Sequence, residues 1–340
     1  MSDSGEVLIL NVEDDEERAL EQAATLLRHG ELVAFPTETV YGLGARADRD
    51  DAVRKIYEAK GRPATNPLIV HVASVSAARE LAQVWSDEAE SLAQAFWPGP
   101  LTLIVEGRED VVSDGLRAGL STLAIRVPGH DVARRLIEAV GAPVAAPSAN
   151  RYTELSPTTA SHVLRGLGDR VAAIVDGGAT QVGLESTLVD ARRSPVKVAR
   201  PGMISVQEMM EVVDVAEFRL GEVVQEEAAR PSPGLSKKHY SPQTPLRIVD
   251  KLELQDVADR EVGVIRLGEG EVETRSGGRE LVLPNRACDY GRELYAALHR
   301  LDRRGLEQIW VEAPPRGGQW QAVWDRLGRA AARALSDHAQ

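Results

Sequence analysis

Cysteine, basic charge and long apolar runs are all scarce in this chain, and each shortage excludes a class of function. A single cysteine, Cys288, stands among 340 residues, so no internal disulfide can form, and nothing around it has metal-ligand spacing. An ordinary packed thiol in a reducing cytoplasm fits that usage. The opening MSDSGEVLIL has no basic flank and only a short apolar run, and no later segment approaches the roughly 20 apolar residues of a membrane span, so neither export nor anchoring is expected. Lys and Arg number 40 against 52 Asp and Glu, a formal charge of −12. Nonspecific nucleic-acid binding needs clustered cations on phosphates, so little direct RNA binding is expected, while a local basic site remains open.

Several catalytic signatures are missing too. There is no GxxxxGK[ST], and GLGARA does not complete a GxGxxG dinucleotide fingerprint; HExxH, paired CxxC and GxSxG are absent. The seven histidines are scattered, with His71 at a strand end, His130 and His162 near helix starts and His239 in a connector, so packing is favoured over metal ligation.

What is present is enough for two cores: 340 residues exceed the usual single-core size, and 43% are apolar. EERALEQAATLLRH (16–29) carries apolar residues at helical spacing and ends at Gly30; LVAF (32–35) follows as a strand. DDAVRKIYEAKG (50–61) reads as a helix and LIVHV (68–72) as a strand. SAARELAQVW and SDEAESLAQAFW read as helices running into PGP. LTLIVE, TLAIRVP, PVAAP, VAAIVDGG, STLVDA and VKVARPG read as strands, with helices DVARRLIEAV and TASHVLRGLG between them. Such interleaving predicts a mixed α/β (α+β) domain over 1–213 with a twisted, open mixed sheet. Residues 214–245 contain several prolines and little periodicity, which predicts a connecting segment, either a linker or a lid. Strands and helices resume over 246–340 as a smaller, Rossmann-like α/β domain.

Polar residues of the first domain gather in five stretches at strand ends, where open α/β sheets place ligands. PTETVYG supplies Thr37, Glu38, Thr39 and Tyr41, and KGRPATNPL supplies Lys60, Arg62 and Asn66 with His71 close behind. A lysine near a helix C-terminus also favours the helix dipole. Two cations on a Gly/Pro loop nevertheless suit a polyphosphate. STLAIRVPGH places Thr122 and Arg126 four apart in a strand, on one face, and an arginine in an apolar strand needs an anion, internal or bound. APSANRYTELSPT offers Ser148, Asn150 and Ser156, although SAN alone is usually a turn. The last stretch contributes Ser186 and Arg200, with Gly177 and Gly178 for tight turns.

Taken in order, FPTETVYGLG, KGRPATNPLIVHV, WPGPLT, AIRVPGH, APSAN followed by SPT, ESTLVD and ARPG resemble the threonylcarbamoyl-AMP synthase family, whose catalytic domain is of the YrdC type, over roughly residues 8–210. PGLSKKHYSP and the trailing domain resemble its long form. Glu38 stands where many members carry aspartate, and Ser241 where alanine is commoner. The resemblance implies that L-threonine, bicarbonate and ATP give L-threonylcarbamoyl-adenylate and pyrophosphate, the adenylate passing to a separate complex that modifies tRNA beside the anticodon. It further implies that Thr39, His71, Arg126 and Ser186 hold threonine; that Arg62, Asn66, Thr122, Ser148, Ser156, Arg200 and Tyr240 hold ATP; and that Lys60 joins Arg62 at the phosphates. Mg²⁺ is expected on those phosphates, with no carboxylate cage of its own. The segment 230–245 is expected to act as a lid carrying His239 and Tyr240, with Lys237 and Lys238 solvated. Rival readings are an RNA-binding module, a carbamoyl-phosphate-using enzyme and a nucleotide-binding regulator. Net charge weighs against the first, the lack of zinc-finger cysteines against the second, and the presence of Lys60 and Arg62 against the third.

Overall fold

Helix ends in the first domain are set by local chemistry that the sequence carries openly. In the computed structural model, which describes residues 7–218, 240–250 and 261–336, helix α6 (Asp131–Val140) buries Val132, Ala133, Leu136, Ile137 and Val140 on one stripe and stops at Gly141, whose φ of 70° suits a residue without Cβ. It packs with α1 (Val12–Arg28), which buries Ala19, Leu20, Ala23, Ala24 and Leu27, onto one face of a sheet that contributes Val33, Phe35 and Val175. On the other face α2 (Asp50–Lys60) begins with two aspartates and ends at left-handed Gly61.

The sheet between them has 11 strands. Ten lie on one path: β1 (Leu8–Asn11), β9 (Ala173–Asp176), β2 (Val33–Phe35), β3 (Gly42–Arg46), β8 (Val144–Ala145), β4 (Ile69–His71), β7 (Thr122–Arg126), β6 (Leu101–Gly107), β10 (Thr187–Asp190) and β11 (Lys197–Arg200); β5 (Ala82–Val84) adds to β6. Parallel and antiparallel pairs alternate irregularly, so the mixed sheet expected from the sequence is present. One detail differs from the sequence reading. The helix expected over 76–85 stops at Leu81, because AQV pairs antiparallel with β6 instead of continuing the turn. The glycines of GLGARA lie in β3, where Gly44 leaves room for the Phe35 ring: a Cβ there would come within 2.8 Å of it.

The second domain is a five-stranded sheet in the order β12 (Leu246–Val249), β16 (Gln308–Glu312), β13 (Val262–Gly268), β15 (Glu280–Pro284), β14 (Glu273–Arg275), parallel except for β14. Helices α9 (Ala287–Asp302) and α10 (Gln321–Ser336) pack on it. Beyond α8 (Val206–Met210) the chain stays with the first domain, Ala216 donating to the Val196 carbonyl. Most of the expected lid, including Lys237, Lys238 and His239, lies outside the described residues. Tyr240 and Ser241 lie within them, and the Ser241 N–H bonds to the Thr153 carbonyl.

The two domains share a core: Val40, Leu155 and Leu184 of the first belong to the same buried cluster as Tyr290, Leu294 and Tyr295 of α9. At the rim of this seam His162, in α7 (Ala160–Leu167), stacks on His299 of α9 with ring centroids 3.9 Å apart. Burial, then neighbouring positive charge, holds His162 down to about 3; burial holds His299 down to about 4. Both are therefore neutral in the fold but protonate near 6.5 when unfolded. Between those values the unfolded chain binds more protons, so the contribution of the pair to stability is full well above 6.5 and is lost as pH falls through and below it. Each ring accounts for up to about 1.4 kcal/mol per pH unit before solvent screening. Denaturant midpoints should decline between about pH 7.5 and 5, and the His162→Gln/His299→Gln double variant should decline less steeply; an unchanged slope would refute this account of the seam.

Candidate active site

Main-chain hydrogen bonds first bring three of the five polar stretches together. Tyr41 exchanges backbone bonds with Pro157 and Ala149, Leu43 donates to Pro147, and Val182 donates to Glu38. The turn after β2 is closed by Thr37, whose hydroxyl donates to the Val40 carbonyl at 2.6 Å and accepts the N–H groups of Thr39 and Val40. This hydroxyl is also 2.8 Å from that of Thr39. Tyr41 fastens the far side by donating to the Gly178 carbonyl at 2.7 Å.

His71 and Arg126 are register partners in the β4–β7 ladder, so their side chains leave the sheet on the same face. Arg126 donates from Nη1 to the Thr39 hydroxyl at 2.9 Å and from Nε to the Gly99 carbonyl at 3.3 Å, and its Nη2 lies 2.7 Å from Glu38 Oε1. The anion demanded by an arginine in an apolar strand is thus internal, at least in part. Burial pushes the Glu38 carboxyl up, but Arg126 and the Gly129 N–H outweigh it and hold the group below its usual range. His71 is held down to about 3, by burial and then by Arg126, so its ring is neutral; its buried Nδ1 has no partner among the described residues.

Across the pocket, Arg62 follows left-handed Gly61 and turns back on its own loop, donating to the carbonyls of Asn66 and Pro67 at 3.3 and 3.0 Å. It makes no ion pair with a carboxylate among the described residues. Arg200, at the end of β11, donates twice to the Ser186 carbonyl and once to the Ser186 hydroxyl, which also bonds Thr102 at 2.7 Å. Arg62, Arg126 and Arg200 are each less than one-tenth exposed. Ser148, beside Gly42 in an isolated bridge, and the buried Tyr240 complete the wall.

Eight of the twelve residues to which the resemblance gives a substrate or phosphate role therefore line one pocket: Thr39, Arg62, His71, Arg126, Ser148, Ser186, Arg200 and Tyr240, with Thr37 beside them. Four do not. The Lys60 ammonium is spent on the carbonyls of Ser148 and Asn150, at 2.6 and 2.5 Å, and burial, then Arg62, disfavours its charge strongly; it holds the SAN loop from behind. Asn66 bonds the Tyr152 hydroxyl, and its carbonyl serves Arg62. Ser156 donates to Glu185. Thr122 starts β7 opposite Glu106, and four residues of strand, about 13 Å, separate it from Arg126, so sharing a face did not mean sharing a pocket.

Glu185, absent from the sequence candidates, also faces the pocket. Burial raises its carboxyl, yet Arg326 and Arg200 outweigh that and keep it ionised. A signal existed: in ESTLVD a carboxylate stands at the foot of an apolar strand, where burial requires a cation, the argument already applied to Arg126.

Relatives share this architecture along most of their length. A family model described as telomere recombination, named for Sua5, YciO and YrdC, matches residues 25–202, and one described as threonylcarbamoyl-AMP synthase, C-terminal domain, matches 204–332. The threonylcarbamoyl-AMP synthase of Bacillus subtilis is 41% identical over 91% of this chain and 92% of its own, and that of Pyrococcus abyssi 38% identical over 95% and 97%. The crystal structure of P. abyssi Sua5 complexed with L-threonine superposes with a TM-score of 0.84, at 35% identity, over 96% of this chain and 97% of that one. With both matches present in order, the chain belongs to the Sua5/YciO/YrdC family, in the two-domain form that carries the threonylcarbamoyl-AMP synthase C-terminal domain.

Proposed function

We propose that this pocket forms L-threonylcarbamoyl-adenylate from L-threonine, bicarbonate and ATP, releasing pyrophosphate. The observation that carries this is the buried Arg62: a guanidinium facing the pocket with only carbonyl partners among the described residues is a site awaiting an anion. Threonine's amine condenses with bicarbonate, losing water, to give a carbamate. A carbamate oxygen then bonds to the α-phosphorus as the bridging P–O bond breaks and pyrophosphate departs. Negative charge grows on the phosphate oxygens, and fixed guanidinium groups stabilise it without having to reorganise.

In this reading Arg62 and Arg200 take phosphate oxygens, with Ser148 beside them and Tyr240 over the nucleotide. Arg126 and Thr39 take the threonine carboxylate, which would share Arg126 with Glu38. Neutral His71 offers its free Nδ1 to the amino acid, and Ser186 lies between the two halves. Lys60, Asn66 and Ser156 support the wall from behind. For Mg²⁺ the fit is poor on the protein side: among the described residues there is no cluster of three His, Cys, Asp or Glu, and Glu38 and Glu185 are committed to arginines. Magnesium would therefore enter on the phosphates of ATP, and no step here depends on a protein-held ion.

The adenylate is a reactive mixed anhydride, so a separate enzyme that transfers the threonylcarbamoyl group to tRNA is the fitting consumer. No helix among the described residues is long and apolar enough to cross a membrane; the Cys288 thiol, expected to be packed, is instead exposed, and a free exposed thiol suits a reducing cytoplasm.

Pyrophosphate release by purified protein should require both L-threonine and bicarbonate, and Arg62→Ala should lower it by at least about 100-fold. Release that ignores either substrate, or survives the substitution, would overturn the assignment. L-serine lacks one methyl, for which apolar contact alone discriminates about 10–200-fold. The ratio of kcat/KM for threonine over serine should fall in that range; a much larger ratio would require a polar discrimination that the geometry does not display.

A further inference from the structure

Arg326 belongs to α10 of the second domain, yet it grips the first domain's pocket wall. It is 1% exposed. Its Nε donates to Glu185 Oε2 at 2.6 Å, its Nη2 approaches the Glu185 carbonyl at 3.4 Å, and its Nη1 donates to the Pro201 carbonyl at 3.0 Å and to Asp325 beside it. Its guanidinium carbon lies 5.2 Å from the centre of the Tyr240 ring. One side chain thus touches three pieces of the pocket: the Glu185–Ser186 corner, the turn after Arg200, and Tyr240. From α9, the Tyr295 hydroxyl meets both carboxylate oxygens of Glu185 at 3.2 and 3.3 Å.

The backbones are fitted for this contact. Gly183 has a φ of +78°, and a Cβ on it would lie 2.4 Å from the Arg292 carbonyl oxygen of α9. On the opposite flank, a Cβ on Gly202 would lie 2.3 Å from the Thr187 nitrogen. The corner 183–187 is held between the second domain on one side and the ARPG turn on the other. Within it, Ser186 receives the Arg200 guanidinium.

We propose that Arg326 and Tyr295 are positioning residues for the reaction: acting through Glu185, they hold Ser186 and Arg200 in place, so the pocket is complete only when the second domain is docked. This rests on the proposed function for the step it serves. The physical reason is that an ionised carboxylate cannot stay buried without a cation. Without Arg326 the buried Glu185 carboxylate is left with Arg200 alone to balance it, which drives the corner toward water, and a displacement of about 1 Å at a reacting centre can cost 100-fold in rate.

The test uses the full chain with Tyr295→Phe, Arg326→Gln and the double variant Glu185→Gln/Arg326→Gln. Three quantities are read: thermal midpoint, amide hydrogen exchange of residues 184–188, and kcat/KM for pyrophosphate release. Tyr295→Phe should leave the midpoint close to the parent's while exchange quickens and kcat/KM falls roughly tenfold. Arg326→Gln should lower the midpoint and reduce kcat/KM by about 100-fold. Because the double variant removes both members of the buried ion pair together, it should recover much of the midpoint but neither slow exchange nor turnover. Recovery of all three would reduce the pair to simple domain adhesion and overturn the proposal, as would Tyr295→Phe with parental exchange and turnover. If the parent itself releases no pyrophosphate, the functional reading fails, and exchange at 184–188 alone decides the positioning role.

Discussion

Buried guanidinium groups are the constraint on which the rest of the molecule depends. Arg62, Arg126, Arg200 and Arg326 are each less than one-tenth exposed, in a chain whose formal charge is −12. Removing such groups from water is costly unless each is bonded in full. The chain meets that cost with main-chain carbonyls from four separate segments and with the carboxylates of Glu38, Glu185 and Asp325, the first two themselves buried. The positive pocket is consequently a property of loop placement, invisible in the overall charge.

The sheet serves this placement. Parallel pairing of β4 with β7 sets His71 beside Arg126, and the end of β11 sets Arg200 against Ser186. Arg126 and Arg200 stand at strand ends of the 11-stranded sheet and Arg62 is bonded to its own loop, so the guanidinium groups are placed before any ligand arrives, the condition under which fixed charge is most effective. The second domain extends the same logic. It brings a fourth guanidinium to the pocket's outer wall, and the shared apolar cluster around Leu184, Leu294 and Tyr295 supplies the adhesion that a lone buried ion pair would not.

Much of the site was legible in the sequence, and the reasons are particular. Arg62 between glycine and proline, Arg126 inside an apolar strand and Arg200 before Pro-Gly each violate local expectation, and such violations mark places where tertiary structure must compensate. Helices such as 131–140 were legible because apolar spacing and a terminal glycine agree. Lys60 and Thr122 were less readable. Lys60 ends α2 two residues before Arg62 but reaches different partners, and Thr122 shares a face with Arg126 but stands a strand's length away. The helix expected across 76–85 ends early because pairing with β6 competes with the next helical turn, a choice made by a neighbour distant in sequence.

By itself the sequence determined the mixed α/β architecture and marked the positions where a charge sits badly with its surroundings, since apolar periodicity and ill-suited charges are written locally. Only the tertiary structure decided which hydroxyls and cations face the cavity, and that Glu185 answers to Arg326 and Tyr295 more than 100 residues away. The physical reason is that spacing along a chain dictates which face a side chain takes. What lies opposite that face depends on how distant segments close around it, and no local pattern encodes that.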